Sequence, residues 1–430
     1  MVSLRSEHII IIGAGAAGLM AARELARAGK RVTILEAQDR CGGRIYPLPA
    51  ADFGYPAEGG AEFIHGEARV TRTLLREAGL SELPVEGKRW HVKNGAFTRD
   101  DAPNPHSERL HKALAGLKAD LPIAEFLAQH FGAPEYSSLR ASILRMVEGY
   151  DAADPARAST LALRDEWMDG GSRRQARVGG GYGALIDFLV AECLRHGAAI
   201  HLHAAVDAIE AIDGSVLVRC ANGDRHASEA AMLTVPLPLL KEITLPPSAR
   251  EHAAAAANIG FGNVIKVLLR FQNRWWTERR KDLADMSFLL TDEKIPVWWT
   301  QHPREHPVLT GWVGGPKTEG MAHLDENELV KAGLTSLADI FGFPAEQLMR
   351  DLVSARAINW AKNPFARGAY SYATPETREA QSVMASSDGV AVLFSGEALY
   401  RGPDMGTVEA ALASGLERAR TILGTAPPRT

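Results

Sequence analysis

Hydrophobic and polar positions follow two textures along this chain, and the first forty residues show one of them in full. His8 to Ile12 reads as a continuous apolar run, the pattern of a strand buried on both faces. Ala17 to Ala28 carries helix-forming residues with Leu19, Ala22, Leu25 and Ala26 on one face. Gly29 sits where a helix ends in the left-handed conformation, and Arg31 to Leu35 is a second strand. Beyond Val70 the period changes. Glu108 to Leu121 places Leu110, Leu114, Leu117 and Leu121 at helical spacing, and Tyr136 to Val147 does the same with Leu139, Ile143 and Val147. From Gly179 the sheet-like texture returns, with a helix through Ala184 to His196 and strands near Ala198–Leu202 and Val216–Cys220. Asn263–Phe271, Val297–Thr300 and Leu309–Val313 predict strands of a further sheet. Val390–Phe394 and the helix Val408–Leu423 return to the first texture.

A chain of 430 residues exceeds what one hydrophobic core usually organises, so two intimately joined domains are expected. The patterning assigns 1–70, 175–240 and 385–430 to a discontinuous nucleotide-binding domain. It assigns 71–174, a helical insertion, and 241–384 to a substrate domain. The net charge of −4 gives no footprint for nucleic acid and mildly suits a cationic ligand. Cys41, Cys193 and Cys220 have neither metal-ligand spacing nor the look of a disulfide framework, so no metal is expected and a reducing cytoplasm is. The apolar run after Arg5 passes straight into a glycine loop, unlike a secretion signal. The weakly polar stretch Ile9–Ala22 falls short of the ~18 residues of a membrane span. The tail Thr425–Thr430 is polar. No membrane partner is expected.

Chemistry enters with Gly13-Ala14-Gly15-Ala16-Ala17-Gly18, set between a strand and a helix. Gly13 permits a tight turn, Gly15 leaves room for a pyrophosphate, and Gly18 lets helix and strand pack closely. Ala17 lies at the helix N-terminus, whose free N–H groups suit phosphate. Glu36 follows the second strand, 36 − 13 = 23 positions beyond the first glycine, where an acid meets a ribose hydroxyl pair. This is a Rossmann-type dinucleotide site, and alone it does not separate FAD from NAD. The next residues, Arg40-Cys41-Gly42-Gly43-Arg44, suit a second wrap around a pyrophosphate. Cys41 reads there as packing rather than redox chemistry.

Nearly end to end the chain resembles the flavin amine oxidase family, which includes monoamine and polyamine oxidases and lysine-specific histone demethylases. The resemblance is carried by Glu36–Arg44, by Glu58-Gly59-Gly60-Ala61-Glu62-Phe63-Ile64-His65-Gly66, and by Gly179-Gly180-Gly181 before Leu185. Its sharpest part is Asn359-Trp360-Ala361-Lys362-Asn363-Pro364-Phe365-Ala366-Arg367-Gly368-Ala369-Tyr370-Ser371-Tyr372, nearest the polyamine oxidase branch. Phe394-Ser395-Gly396-Glu397 and Gly406-Thr407-Val408-Glu409 complete it. The resemblance implies an α/β, glutathione reductase-like FAD domain with an interleaved α+β substrate domain, as in amine oxidases. It implies that Arg44 approaches the diphosphate, Gly60 and Ala61 pass over the flavin ring, and the Val206 backbone meets the adenine. Glu397 would meet the cofactor's polar chain, with Thr407 and Val408 opening the helix that faces the pyrimidine end of the ring. Trp360 and Tyr370 would lie near the flavin, Lys266 would face it, and His65 would be able to orient substrate or modulate amine protonation from a pKa near neutrality.

Two departures matter. Ala369 stands where monoamine oxidases carry the cysteine bonded to flavin, so non-covalent FAD is expected. Thr407 replaces a second cage tyrosine. The long insertion of the histone demethylases is missing. The activity implied is oxidation of a small amine by hydride transfer to flavin, hydrolysis of the imine, and reoxidation by O2 with release of hydrogen peroxide. A desaturase or porphyrinogen-type oxidase, an L-amino-acid oxidase and a non-catalytic FAD-binding scaffold are the alternatives. Lysine on the apolar run Val264–Leu269 is expected either solvated or with a buried partner; Glu62 is expected at the solvated surface. Trp298 and Trp299 are expected in the core or lining a cavity.

Overall fold

The computed structural model describes residues 7–100, 104–169, 174–212, 214–386 and 391–425. Arg5, Val390 and the tail beyond 425 lie outside the described residues. A five-stranded parallel sheet runs in the order Val392–Phe394, Ala230–Leu233, His8–Ile12, Arg31–Leu35, Ala199–His201. His8–Ile12 is central, and its alternate side chains divide between two cores. Ile9 and Ile11 pack with the helices Ala16–Arg27, Tyr182–Arg195 and Val408–Leu423. Ile10 and Ile12 pack on the opposite face with Val216 and Val218 of a small antiparallel sheet. Two buried faces require apolar residues at every position, which is why the run is unbroken.

A seven-stranded sheet is ordered Leu352–Asn359, Val264–Phe271, Val308–Gly314, Val297–Trp299, Met286–Thr291, Lys88–Lys93, Ala96–Arg99. Its pairings are antiparallel apart from Met286–Thr291 with Lys88–Lys93. Val264–Phe271 has neighbours on both sides and is buried almost throughout. Ile265, Val267, Leu269 and Phe271 face the core that includes Leu334 and Leu337 of the helix Glu326–Phe341. By alternation Lys266 shares the other face with Val264 and Leu268. The strand Phe63–His65 pairs with Gln175–Val178 between the two large sheets, and it brings His65 and the neighbouring Glu62 to the same region.

The helical insertion differs from its expectation in one respect. The helix predicted through Leu121 is Ser107–Ala115, capped at Gly116, and a separate helix Ile123–Phe131 follows Pro122. The first helix ends at Gly116, a poor helix former, and Pro122 restricts Leu121 before it, so no single helix runs through both. Leu117 and Leu121 still pack onto the same apolar cluster as Leu110 and Leu114, so their spacing reported burial rather than a continuous helix. Among the described residues no helix is long and apolar enough to cross a membrane.

Candidate active site

One cavity of about 1400 Å³ runs from the glycine loop to the face of the seven-stranded sheet that carries Lys266. This volume exceeds the ~300–1,000 Å³ typical of a single small-molecule site. At one end Gly13 has φ +104°, a conformation that side chains rarely adopt. A Cβ on Gly18 would lie 2.0 Å from the Gly13 carbonyl oxygen, whereas one on Gly15 would meet nothing within 4 Å. Gly18 is therefore a packing glycine outside the cavity wall, while Gly13, Gly15 and Ala17 line it. The helix Ala16–Arg27 starts at Gly15 with no side-chain cap and no acid in its first turn. Its first N–H groups and partial positive charge are left for an anion. Glu36 accepts hydrogen bonds from the Ala14 and Gln38 amides at 2.7 and 2.9 Å, which orient a buried carboxylate on the cavity wall beside Val206. Arg40 donates to the Gly43 and Ile45 carbonyls and shapes the second glycine turn.

Further along, Arg44 Nη1 donates to Glu397 Oε1 at 2.8 Å and to the Ala369 carbonyl at 2.7 Å. Glu397 Oε1 also accepts from Ser371, while Oε2 is buried with no partner among the described residues. That orphaned acceptor on the cavity wall fits a hydroxyl of a bound dinucleotide. A Cβ on Gly60 would sit 1.8 Å from the Arg44 carbonyl oxygen and 3.1 Å from Trp360 Cζ2, so only glycine passes here, with Ala61 beside it. Thr407 caps the helix Val408–Leu423 by accepting from the Ala410 amide, and both Thr407 and Val408 line the cavity. Glu409 turns away and instead accepts from the Val70 and Thr71 amides at the start of the helix Arg69–Ala78.

At the far end Lys266 is fully buried. Its Nζ donates to Glu62 Oε2 at 2.9 Å and to the Gly60 carbonyl at 3.2 Å, and lies 5.3 Å from the centre of the Trp299 ring. The buried-partner alternative for this lysine is the one observed. Glu62 corrects its own expectation: it is not at the solvated surface. It also accepts from Arg177 Nε at 2.9 Å, Trp299 Nε1 at 3.1 Å and Gln301 Nε2 at 3.0 Å. Burial pushes its carboxyl up, yet Lys266 and Arg177 outweigh that and hold it at about 2. Trp299 lines the cavity, whereas Trp298 is in the core.

His65 lines the cavity with Nδ1 at 2.8 Å from the Tyr150 hydroxyl. Burial lowers its pKa to about 4, which corrects the expectation of a value near neutrality: this imidazole is uncharged at pH 7. Tyr370 donates its hydroxyl to the Tyr150 carbonyl at 2.7 Å, and burial holds its pKa well above the usual phenol value. It is a wall of the cavity with its polar end satisfied. Cys41 fits a packing role, since burial raises its thiol to about 11.

Sequence reasoning missed one cluster. Asp151 and Glu166 both line the cavity and lie close enough to act on each other's charge; Asp151 Oδ2 and Glu166 Oε1 are buried and accept no hydrogen bond from the described residues. Burial pushes Asp151 up to about 7, and burial together with Asp151 pushes Glu166 well above the usual carboxyl range. Their fifteen-residue separation carries no motif (166 − 151 = 15). Only the turn between the helices Ser137–Gly149 and Thr160–Asp169 brings them together.

Comparison with known proteins agrees with this geometry. The family model described as flavin containing amine oxidoreductase matches residues 16–423. Human lysine-specific histone demethylase 2 is 25% identical over 97% of this chain, which spans only 53% of that relative's length. The peroxisomal N(1)-acetyl-spermine/spermidine oxidase of Bos taurus is 26% identical, with 97% of this chain and 95% of the relative covered. Among solved structures, putrescine oxidase bound to putrescine superposes with a TM-score of 0.80 at 21% identity, covering 97% of this chain and 99% of that one. Cyclohexylamine oxidase from Brevibacterium oxydans gives 0.77 at 22% identity, covering 97% and 98%. The fold is thus that of the amine oxidases, with a flavin as its cofactor, and the chain belongs to the flavin-containing amine oxidoreductase family.

Proposed function

We propose that this protein is an FAD-dependent amine oxidase that holds FAD without a covalent bond. The observation that carries the reading is the single cavity joining the uncapped helix end at Gly15 to the buried Lys266–Glu62 pair and the Tyr370 wall. FAD, when bound, supplies the two-electron acceptor for a hydride from the carbon next to nitrogen. The chain supplies the rest. Gly13, Gly15 and Ala17 receive the pyrophosphate; Glu36 takes the ribose hydroxyls, Val206 borders the adenine end, and Glu397 Oε2 accepts from the cofactor's polar chain. Arg44 is engaged by Glu397 and acts as a positioning residue there. Gly60, Ala61, Trp360, Thr407 and Val408 shape the ring's surroundings, and Ala369 offers no sulfur for a thioether.

Lys266 contributes a localised positive charge with a hydrogen-bond donor, and oriented charge in a dry site is worth far more than in water. Phe63, Phe288, Trp299 and Tyr370 exclude water around the substrate carbon. The overall reaction, R–CH2–NHR′ + O2 + H2O giving R–CHO, R′NH2 and H2O2, balances without a metal. The three thiols are unbridged, which suits a reducing setting such as the cytoplasm. An L-amino-acid oxidase would use a cavity arginine for the carboxylate; Arg177 and Arg145 are engaged with Glu62 and Asp292, whereas Arg89 lies over the Phe288 ring on the cavity wall, so amino acids belong in the screen. The test is an anaerobic screen of amines, polyamines and amino acids against the flavin-loaded protein. Bleaching by an amine, with one H2O2 per aldehyde once air is admitted, is expected. A flavin that no amine bleaches would identify a non-catalytic scaffold instead.

A further inference from the structure

Hydride abstraction next to nitrogen needs the nitrogen lone pair, so a substrate that arrives as an ammonium must lose a proton inside the protein. Many acids line the cavity, and those around the Lys266 and Tyr370 end are the candidates to take it. His65 is too weak a base, with burial holding it at about 4. Glu62 is weaker still and occupied by Lys266, Arg177, Trp299 and Gln301. Glu58, raised to about 8 by burial, lies outside the cavity wall, with Oε1 accepting from the Tyr182 amide at 2.6 Å.

The Asp151–Glu166 pair differs from all of these. It lines the cavity next to Tyr370, whose hydroxyl is bound to the carbonyl of Tyr150, the residue before Asp151. It carries buried, unpartnered oxygens, Asp151 Oδ2 and Glu166 Oε1. The groups acting most strongly on it are themselves acidic. Asp151 and Asp404 bear on Glu166, and Tyr150 and Tyr370 lie within the influence of both carboxyls. Arg164, on the helix of Glu166, is ion-paired with its neighbour Asp165. Among the described residues the groups acting on the pair include no cation, and a buried anion without one is costly. A cationic ligand that enters relieves that cost.

We propose that Asp151 and Glu166 together are the proton acceptor for the substrate amine: they draw its ammonium to the Tyr370 wall and take one proton from nitrogen. This rests on the amine oxidase reading above. In the step, one N–H bond breaks and its electron pair stays on nitrogen as the lone pair. The proton joins the singly protonated carboxyl pair, which becomes doubly protonated and neutral. An ammonium and a carboxylate become an amine and a carboxylic acid. Removing two charges from a dry cavity favours the transfer, although an alkylammonium with a pKa of about 10 gives up its proton reluctantly in water. The pair returns the proton to solvent once product leaves.

Two measurements decide it. The first needs no turnover: amines are titrated into the FAD-loaded, pre-reduced protein at pH 8 by anaerobic calorimetry, in buffers of different ionisation enthalpy. An internal acceptor predicts that a strongly basic primary amine binds the parent with almost no proton released to buffer, and the Asp151→Asn, Glu166→Gln double variant with release of about one; an amine that stays an ammonium releases none in either. Release of one full proton by the parent, of none by the double variant, or no binding by any amine, overturns the proposal even if oxidation is seen by other means. The second uses Asp151→Asn, Glu166→Gln and the double variant, each checked for flavin content and fold. For a strongly basic amine the double variant should lose about 100-fold or more in the rate constant of flavin reduction over Kd, the scale of general-base catalysis. A fluorinated amine, mostly neutral at the assay pH, should be almost unaffected. Equal losses for both amines would make the pair structural and sink the proposal. Should no amine bleach the flavin at all, the functional reading fails, and the calorimetric proton count still decides the pair's role.

Discussion

Two acidic centres face the same cavity, and burial has opposite outcomes at them. Glu62 is surrounded by Lys266, Arg177, Trp299 and Gln301, and its carboxyl is held at about 2. Asp151 and Glu166 have each other and Asp404, and Asp151 sits at about 7. Desolvation acts against the charged form in both places. What differs is the countercharge. The Glu62 carboxylate stays ionised across the working range, whereas the Asp151–Glu166 pair changes charge in the range where enzymes operate. The first suits a fixed electrostatic role and the second suits moving a proton.

The comparison is broken most directly at Lys266. Lys266→Met keeps length and volume and removes the charge, and reoxidation by oxygen should slow on the order of 10²-fold. Amine-driven reduction should change much less. Stopped-flow traces of the two half-reactions separate them, and an unchanged reoxidation rate would make this lysine structural.

Stability offers the next largest contrast. Glu62→Gln leaves Lys266 buried without its anion, and breaking a buried pair costs about 3–5 kcal/mol, so the urea midpoint at pH 7 should fall clearly. Asp151→Asn removes a strained charge and should leave that midpoint equal or higher. A lower midpoint for Asp151→Asn would show that the pair is favourable as it stands.

Glu36 is a third solution to burial, with two backbone amides in place of cations. Its loss should affect cofactor more than fold. Charge-assisted hydrogen bonds of roughly 1.5–3 kcal/mol each predict that Glu36→Ala purifies largely without flavin. Full occupancy at low FAD concentration would refute the assignment.

The pH dependence of stability sharpens the contrast further, because the signs differ. The folded pKa of Glu62 is below its unfolded value, so its contribution is present above pH 4.5 and is lost as the pH falls toward 2. Asp151 is raised from 3.8 to about 7, so stability is greatest below pH 3.8 with respect to this group and declines as the pH rises toward 7. Glu62→Gln should flatten the acid limb, and Asp151→Asn the decline between pH 4 and 7. The smallest effect is expected from Tyr370→Phe. It removes one hydrogen bond to the Tyr150 carbonyl, worth about 1 kcal/mol, and should retain FAD binding with only a modest change in reduction rate.

Several parts of the molecule were legible from sequence because their causes are local. Strand, glycine turn, helix and acid all fall between His8 and Glu36, and each residue type is required by backbone geometry within a few positions. The terminal helix Val408–Leu423 was readable end to end for the same reason: Thr407 caps it and Gly424 closes it. Where a local break opposed the periodicity, as at Gly116 and Pro122, spacing alone extended a helix too far.

The charge states around the cavity were not legible, because they depend on groups distant in the chain. Lys266 and Glu62 are 204 positions apart, and the strand bearing Lys266 pairs with two strands whose order the apolar pattern does not give. Glu62 looked like a surface acid because nothing near it in sequence neutralises it; folding supplies Lys266 and Arg177. Asp151 and Glu166 looked unremarkable because nothing marks a carboxylate for burial without a cation. Backbone preference and apolar period act over a few residues, and the sequence determined the dinucleotide site and most elements through them. Desolvation and Coulomb energy act through space, so only the tertiary structure decided which acids of this cavity stay charged.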